Sequence, residues 1–427
     1  MLTQMDIFSR LESNVRTYCR HFPAVFASAQ GCWMTTNDGR RYLDLLCGAG
    51  SLNYGHNNPV IMDRVSEYIR NSGIVHSLDL HTVAKAGFLQ VFNDTILAPR
   101  HLDYKVQFPG PTGTNAVEAA LKLARKVTGR SGIAAFVGGY HGMTLGSLAA
   151  TTSPTARAAA GVPLDHVSFL PYQGDPGATA DSMDHIETLL RRMAWEGNCP
   201  AAALIEIVQG EGGLSSVTAD WIRRLADLCK ELGMLMIVDD IQAGCGRTGT
   251  FFSFEELGIV PDIVLLSKSL SGFGAPFSIV LMRPELDVWQ PGEHNGTFRG
   301  NNLAFVGATA AIQHYWSDSA FSAGIQVRSD LTQDCLSKVA NSLPAGAAKI
   351  KGRGLLIGIK FNDPTIATAV SERAFEHGLI VETCGRYHHV LKLLPPLNIS
   401  LEDLQLALDI ITEAILETAS SRLKLAS

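Results

Sequence analysis

Met234-Leu-Met-Ile-Val-Asp-Asp-Ile-Gln-Ala-Gly-Cys-Gly-Arg-Thr-Gly249 opens the stretch on which the fold turns, and Ile263-Val-Leu-Leu-Ser-Lys-Ser269 completes it. The apolar run Met234 to Val238 has the length and bulk of a buried strand and ends in two carboxylates, Asp239 and Asp240. A second run, Ile263 to Leu266, leads to Lys268. In open α/β sheets, ligands gather beyond the carboxyl ends of the strands, and a lysine in a low-dielectric site loses its charge readily. Lys268 is therefore a candidate covalent anchor for a carbonyl, and Asp239 a candidate partner for a cationic ring nitrogen. Their separation, 268 − 239 = 29 residues, leaves room for a loop, a short helix and one strand, which puts both groups on one rim. Together they suggest pyridoxal phosphate. The bland alternative for Lys268 is a strand-end charge snorkelling to water.

The 427 residues suffice for two domains and a large core. Charged residues make up 18%, below the ~25% usual in soluble domains, as for a chain that buries part of its surface against a second copy of itself. With 35 basic and 41 acidic residues and no basic block, nucleic acid is not an expected partner. The apolar runs fall far short of the ~20 residues that span a bilayer, and the first residues lack a basic region followed by an apolar core. Eight scattered cysteines without a C-x-x-C pair read as free thiols in a reducing compartment. The expectation is a cytoplasmic enzyme.

Along the chain, Ile7, Leu11, Val15, Tyr18 and Phe22 are spaced for one face of a helix over residues 5–22. Asp38-Gly39 signals a hairpin, and Cys47-Gly-Ala-Gly-Ser-Leu-Asn53 is a small-residue loop where backbone can approach a ligand. From about residue 104, short apolar strands (Val106–Phe108, Ile133–Val137, Ala201–Val208, Met234–Val238, Ile263–Leu266, Ser278–Met282) alternate with helices such as Asn115–Val127 and Asp220–Leu232. Such alternation predicts an α/β fold with a mainly parallel sheet covered by helices. Pro171 to Gly177 is a loop by its turn residues. A long helix over Asn302–Trp316 is followed by a smaller α+β unit, with a strand at Leu355–Ile359 and helices near 366–377 and 401–417.

Further motifs carry chemistry only in combination. Thr112-Gly113-Thr114 stands where a loop gives way to a helix, whose first N–H groups bind phosphate well. Read alone, Thr114 is an N-cap. Tyr140 and His141, between Gly139 and Gly142, can stack on a planar cofactor, although a lone Tyr-His pair is more often structural. Glu206 and Glu211 flank a strand-end loop, where they can meet a cofactor edge and hold a basic residue; Glu211 before Gly212-Gly213 reads equally as a solvated turn. Gly244-x-Gly246-x-x-Gly249 matches the dinucleotide fingerprint, but Thr250-Phe-Phe-Ser-Phe254 is a poor helix start. Asp239 and Asp240 would also repel a pyrophosphate, so NAD is rejected. The polar stretch Glu293 to Asn302 fits no zinc spacing, and no metal is expected.

In this order the motifs resemble the class III (ω-amino acid) aminotransferases of PLP fold type I, over Gly31 to Pro396. The resemblance implies Lys268 as the Schiff-base lysine and Asp239 against the pyridinium nitrogen. It puts Gln242 near the ring hydroxyl, Tyr140 and His141 over the ring face, and Gly113 and Thr114 on the phosphate. Thr297 would reach the neighbouring subunit's phosphate, which implies a homodimer or higher oligomer. It also implies an N-terminal segment over 1–60 that packs with the small domain and the dimer partner, a large PLP-binding domain over 61–315 and a C-terminal small domain over 316–427.

Asp103 to Ala116, Val238 to Gly249 and Gly292 to Asn302 are similar to one branch, the diaminobutyrate–2-oxoglutarate aminotransferases of ectoine synthesis. That branch implies exchange of an amino group between 2,4-diaminobutyrate or aspartate 4-semialdehyde and glutamate or 2-oxoglutarate. The chain departs from the wider class at Lys392, where many members have an arginine that pairs with the glutamate matching Glu211. Lysine lacks the planar fork, and Arg299 is an alternative carboxylate clamp. Competing readings are the same chemistry on ornithine, 4-aminobutyrate or a siderophore or antibiotic precursor, a PLP decarboxylase or aminomutase, and a ligand-sensing regulator on the same fold.

Overall fold

The computed structural model describes residues 4–174 and 182–425. Its centre is a seven-stranded sheet in the order Lys105–Gln107, Ile279–Met282, Ile263–Leu266, Leu235–Asp239, Ala202–Ile205, Ile133–Phe136, Val167–Leu170. The five strands from Ile263–Leu266 onward are mutually parallel, and Ile279–Met282 runs against both of its neighbours. Successive side chains of a strand point to opposite faces, and here both faces are covered. Leu204, Ile237 and Leu265 pack under the Gly113–Thr128 helix with Ala116, Leu121 and Leu123. Ile205, Met236, Val238 and Val264 pack on the other side with Trp221, Ile222 and Leu225 of the Ala219–Leu232 helix. Each fully buried Leu, Ile or Val contributes about 1.5–3 kcal/mol, which explains why these strands read as unbroken apolar runs.

Two smaller sheets complete the molecule. One joins Ala348–Arg353, Leu356–Phe361, Val390–Leu393 and Glu382–Cys384. The other joins Phe26–Gln30, Trp33–Thr36 and Arg41–Asp44 to Leu379–Ile380, which pairs in parallel with Arg41–Asp44. The hairpin turn falls at Asp38-Gly39, where Gly39 has φ +88°. Leu43 and Leu45 share a core with Ile357, Leu379, Val381 and Leu391, so the first strands and the last third of the chain are packed together. Among the described residues, no helix is long and apolar enough to cross a membrane.

The structure corrects one expectation and adds two elements that the sequence pattern does not show. The single helix over 5–22 is two, Gln4–Leu11 and Tyr18–His21. Between them Ser13 Oγ accepts from Val15 N and Arg20 donates to Asn14 O, local bonds of the kind that compete with a helix. The edge strand Val167–Leu170 went unread because Val-Ser-Phe-Leu, paired on one side only, makes no apolar run. The Ala320–Ser342 helix also went unread, because two of its five buried positions, Ser329 and Thr332, are polar and blur the period. Of the loop expected over 171–177, Pro171 to Gly174 is loop and turn, while 175–177 lie outside the described residues.

Candidate active site

Strand pairing sets Asp239 beside Leu265, so Asp239 and the chain leading to Lys268 reach the same rim on adjacent strands. Lys268 has φ +49°, a left-handed conformation that a side-chain-bearing residue adopts only under local constraint. The constraint is visible on both sides. Ser267 Oγ donates to Phe277 O (2.7 Å) and Ser269 Oγ to Gly50 O (2.6 Å). Lys268 itself is half-buried and makes no hydrogen bond or ion pair with the described residues. Burial pulls it below the usual lysine range; the Glu211 carboxylate opposes that and the Lys392 ammonium adds to it.

Asp239 is buried and held in place. Its Oδ2 lies 2.7 Å from His141 Nδ1, and its Oδ1 accepts from Ile241 N at 3.2 Å, which leaves acceptor capacity on the carboxylate. His141 is also buried, with its N–H donating to Thr151 Oγ1. Burial works against its protonation, but the bond to Asp239 and the charges of Asp239 and Glu206 outweigh it, and its pKa is raised. The structure thus turns His141 toward Asp239 and leaves the neighbouring Tyr140 exposed. Glu206 accepts from Tyr140 N (2.9 Å) and Gly210 N (3.0 Å), which ties the two strand-end loops together. Burial, aided by Asp239, pushes its carboxyl up to about 7.

The Gly113–Thr128 helix points its first turn at this rim. Asn115 Oδ1 accepts from Thr112 N (3.2 Å) and Thr112 Oγ1 (2.7 Å), so Thr112, not Thr114, caps the helix. Thr114 sits one step inside and shares its hydroxyl with Ser147 Oγ (2.5 Å) and Thr144 Oγ1 (2.7 Å). A Cβ on Gly113 would stand 3.0 Å from Ile241, and one on Gly142 (φ +131°) would collide with Thr114 Oγ1. These glycines let the helix end, the Asp239 strand and the Tyr140 loop close to contact. The small-residue loop joins them: Cys47, Gly48, Ala49 and Gly50 all have positive φ, Asp44 Oδ1 accepts from Leu46 N and Cys47 N, and Ala49 O accepts from Gln242 Nε2 (3.1 Å).

Glu211 completes the group with Lys392. Lys392 Nζ is fully buried, 2.6 Å from Glu211 Oε1 and 2.9 Å from Glu382 Oε1. Burial opposes ionisation of both Glu211 and Lys392, yet their mutual attraction wins: Glu211 falls to about 2 and Lys392 rises well above the lysine range. The sequence reading did not include Glu382. Its signal was a lone acid after the apolar run Leu379 to Val381, placed opposite Lys392 by strand register. Within one chain Arg299 is elsewhere, bonded to Asn295 Oδ1 (2.8 Å) and 4.0 Å from Asp79. Thr297 lies in the same turn, which is fixed through His76. The glycine fingerprint forms turns rather than a helix start.

The residues fit pyridoxal phosphate. A buried carboxylate with spare acceptors faces the rim where an unpaired lysine arrives, and a helix N-terminus stands beside them where side chains larger than glycine would intrude. Gln242, nine-tenths buried, has a carbonyl oxygen with no partner. The chain belongs to the class-III aminotransferase family, whose description matches residues 16–415, and it is a PLP-dependent aminotransferase of fold type I. It is 52% identical over 412 residues to a protein of Nocardia farcinica named diaminobutyrate--2-oxoglutarate transaminase, covering 96% of this chain and 94% of that one. A protein of the same name from Vibrio parahaemolyticus is 50% identical over 423 residues, 99% of this chain and all of that one. In fold the chain is similar to the ornithine aminotransferase of Toxoplasma gondii (TM-score 0.84, 24% identity, 99% and 97% covered). It is also similar to the acetylornithine aminotransferase of Elizabethkingia anophelis (TM-score 0.78, 28% identity, 97% and 98% covered).

Proposed function

We propose that this enzyme exchanges an amino group between L-2,4-diaminobutyrate or aspartate 4-semialdehyde and glutamate or 2-oxoglutarate. The observation that carries the substrate assignment is identity of 50–52%, end to end, to proteins named for that reaction. The chemistry rests on the opposition of Lys268 and Asp239. Pyridoxal phosphate, when bound, supplies a carbonyl that condenses with amines and a conjugated ring that takes up the electron pair released at the substrate carbon.

Lys268 Nζ would be the covalent anchor, and its free amine would be the base that takes the proton from the substrate carbon. Its depressed pKa keeps a larger fraction as neutral amine, the form that can accept that proton. Asp239 would present a carboxylate to the ring nitrogen, and His141 Nδ1, 2.7 Å from Asp239 Oδ2, holds that carboxylate in position. Gly113, Thr114 and the helix N-terminus take the phosphate. Tyr140 would cover the ring face, and Gln242 would accept from the ring hydroxyl through its oxygen, which has no partner among the described residues.

The same reading makes 61–315 the cofactor domain and 1–60 with 316–427 the small domain, in keeping with the shared core of the first strands and the last third. It makes the active form a homodimer. Ile7, Phe8, Leu11 and Val15 stand exposed along the N-terminal segment, an apolar strip suited to a second copy, and Thr297 would serve the partner's site. It places the enzyme in the cytoplasm, in keeping with eight free thiols. The test is glutamate production from 2-oxoglutarate with diaminobutyrate, ornithine or 4-aminobutyrate as donor. Diaminobutyrate is expected to be fastest, and a faster ornithine reaction would displace it.

A further inference from the structure

One lysine needs one carboxylate, yet Lys392 has two. Bringing a second acid into a buried position costs desolvation that the lysine's neutralisation does not require. Lys392 is fully buried and the Glu382 side chain is only 8% exposed, whereas Glu211 is 34% exposed and is the one member that reaches the site. The two buried members are fixed by the backbone, because Glu382 and Lys392 are direct partners on antiparallel strands. The Glu211 loop is tied to the same strand pair by Gly385 N donating to Glu211 O at 2.9 Å. Burial and the Glu211 charge raise the Glu382 carboxyl above its usual range against the pull of the Lys392 ammonium; once ionised, it leaves the triad with one negative charge more than Lys392 neutralises.

That charge faces the reacting lysine. Glu211 and Glu382 both act electrostatically on Lys268, Glu211 the more strongly. Gln242 donates to Glu211 Oε1 at 3.4 Å, which holds the carboxylate toward the site. Tyr140 and Tyr18 lie within electrostatic reach of Glu211. Around Glu211 there is thus an excess of negative charge, which an ammonium group would neutralise.

We propose that Glu382 is a specificity-determining positioning residue: it supplies the excess negative charge through which Glu211 takes up the non-reacting ammonium of a diamino substrate. Lys392 fixes the two carboxylates rather than serving as a free cation. The inference rests on the diaminobutyrate reading above and adds which residues recognise the second amine. 4-Aminobutyrate is the matched control, since it is 2,4-diaminobutyrate without that amine.

The test compares kcat/KM for the two donors, with 2-oxoglutarate as acceptor, in the full-length holoenzyme and in Glu382→Gln. A unit charge lost at about 10 Å, with an effective dielectric near 20, predicts that the preference for diaminobutyrate falls on the order of tenfold, mainly through KM. Glu382→Asp keeps the charge and should hold the preference within about threefold of wild type. Equal losses with both donors, as a purely structural salt bridge would give, overturn the proposal. Should Glu382→Gln fail to fold, Glu382→Asp decides: a preference within about threefold of wild type supports the role of the charge, and a collapsed preference overturns it. A wild type that turns over 4-aminobutyrate but not diaminobutyrate overturns the substrate reading itself. Diaminobutyrate turnover with an unchanged preference in Glu382→Gln overturns only the role of Glu382.

Discussion

Replacing Lys392 with methionine removes a cation that stands 2.6 Å from one carboxylate and 2.9 Å from another, in a position with no solvent exposure. Methionine fills similar volume, so the change is chiefly electrostatic. Stripping one partner from a buried ion pair costs about 3–5 kcal/mol because the remaining charge is left without compensation. Glu211 is a third exposed and partly screened by water, which argues for the lower end, about 3 kcal/mol. The cost must also depend on pH. In the wild type Glu211 titrates at about 2, below its unfolded value, so its pairing stabilises above the unfolded pKa and that stabilisation is lost as pH falls through about 2. Without Lys392, burial and the facing acid raise both carboxylates above their unfolded values. The variant is then penalised above the unfolded pKa, where the free chain ionises, and relieved below it, where both states are protonated. Thermal unfolding at about pH 8 should show a midpoint lower by roughly 6–12 °C, taking 2–4 °C per kcal/mol for a domain of this size. Near pH 4 the difference should shrink to a few degrees. A midpoint unchanged at pH 8, or a loss equally large at both pH values, would refute the reasoning.

Three other perturbations address the rest of the site. Gly142→Ala places a methyl into Thr114 Oγ1 at a backbone angle of +131°; cofactor affinity, followed by titration of the apoenzyme, should weaken at least about tenfold, a loss of about 1.4 kcal/mol, and unaltered affinity would remove Thr114 from the phosphate site. Asp239→Asn keeps the shape but not the charge, and kcat should fall by about 10²–10⁴ with cofactor still bound; a loss under tenfold would contradict its pairing with the ring nitrogen. Glu206 titrates at about 7 in the fold, above its unfolded value, so it costs stability as pH rises from the unfolded pKa toward about 7, by up to roughly 3 kcal/mol. Glu206→Gln should flatten that slope in thermal midpoints measured between about pH 5 and about pH 8, and an unchanged slope would assign it to other groups.

The parts of the fold legible from sequence were those in which local pattern and burial agree. Ile263 to Leu266 is apolar without interruption because both faces of that strand are covered, and its boundaries came out as read. The Ser13-Asn14 break shows the converse: apolar spacing alone cannot register side chains that bond to nearby backbone. In the site, the order of Gly113, Tyr140, Asp239 and Lys268 along the chain was visible, but partnerships across more than a hundred residues were not. Glu211 meets Lys392 from 181 residues away, a pairing that only the family resemblance, and no local pattern, pointed to. Glu382 became part of the group only through the register of a short strand that gives no periodic signal. Likewise, nothing local distinguishes Thr112 from Thr114 as the cap; the bond to Asn115 decides it.

On the reading proposed above, Lys268, at the rim where Asp239 ends the adjacent strand, carries transamination from diaminobutyrate to 2-oxoglutarate. The most direct test is glutamate formation from those two compounds by the wild type and by Lys268→Ala, each first shown to contain pyridoxal phosphate. Sustained turnover is expected of the wild type and none detectable of the variant. Turnover by Lys268→Ala near the wild-type rate would contradict it.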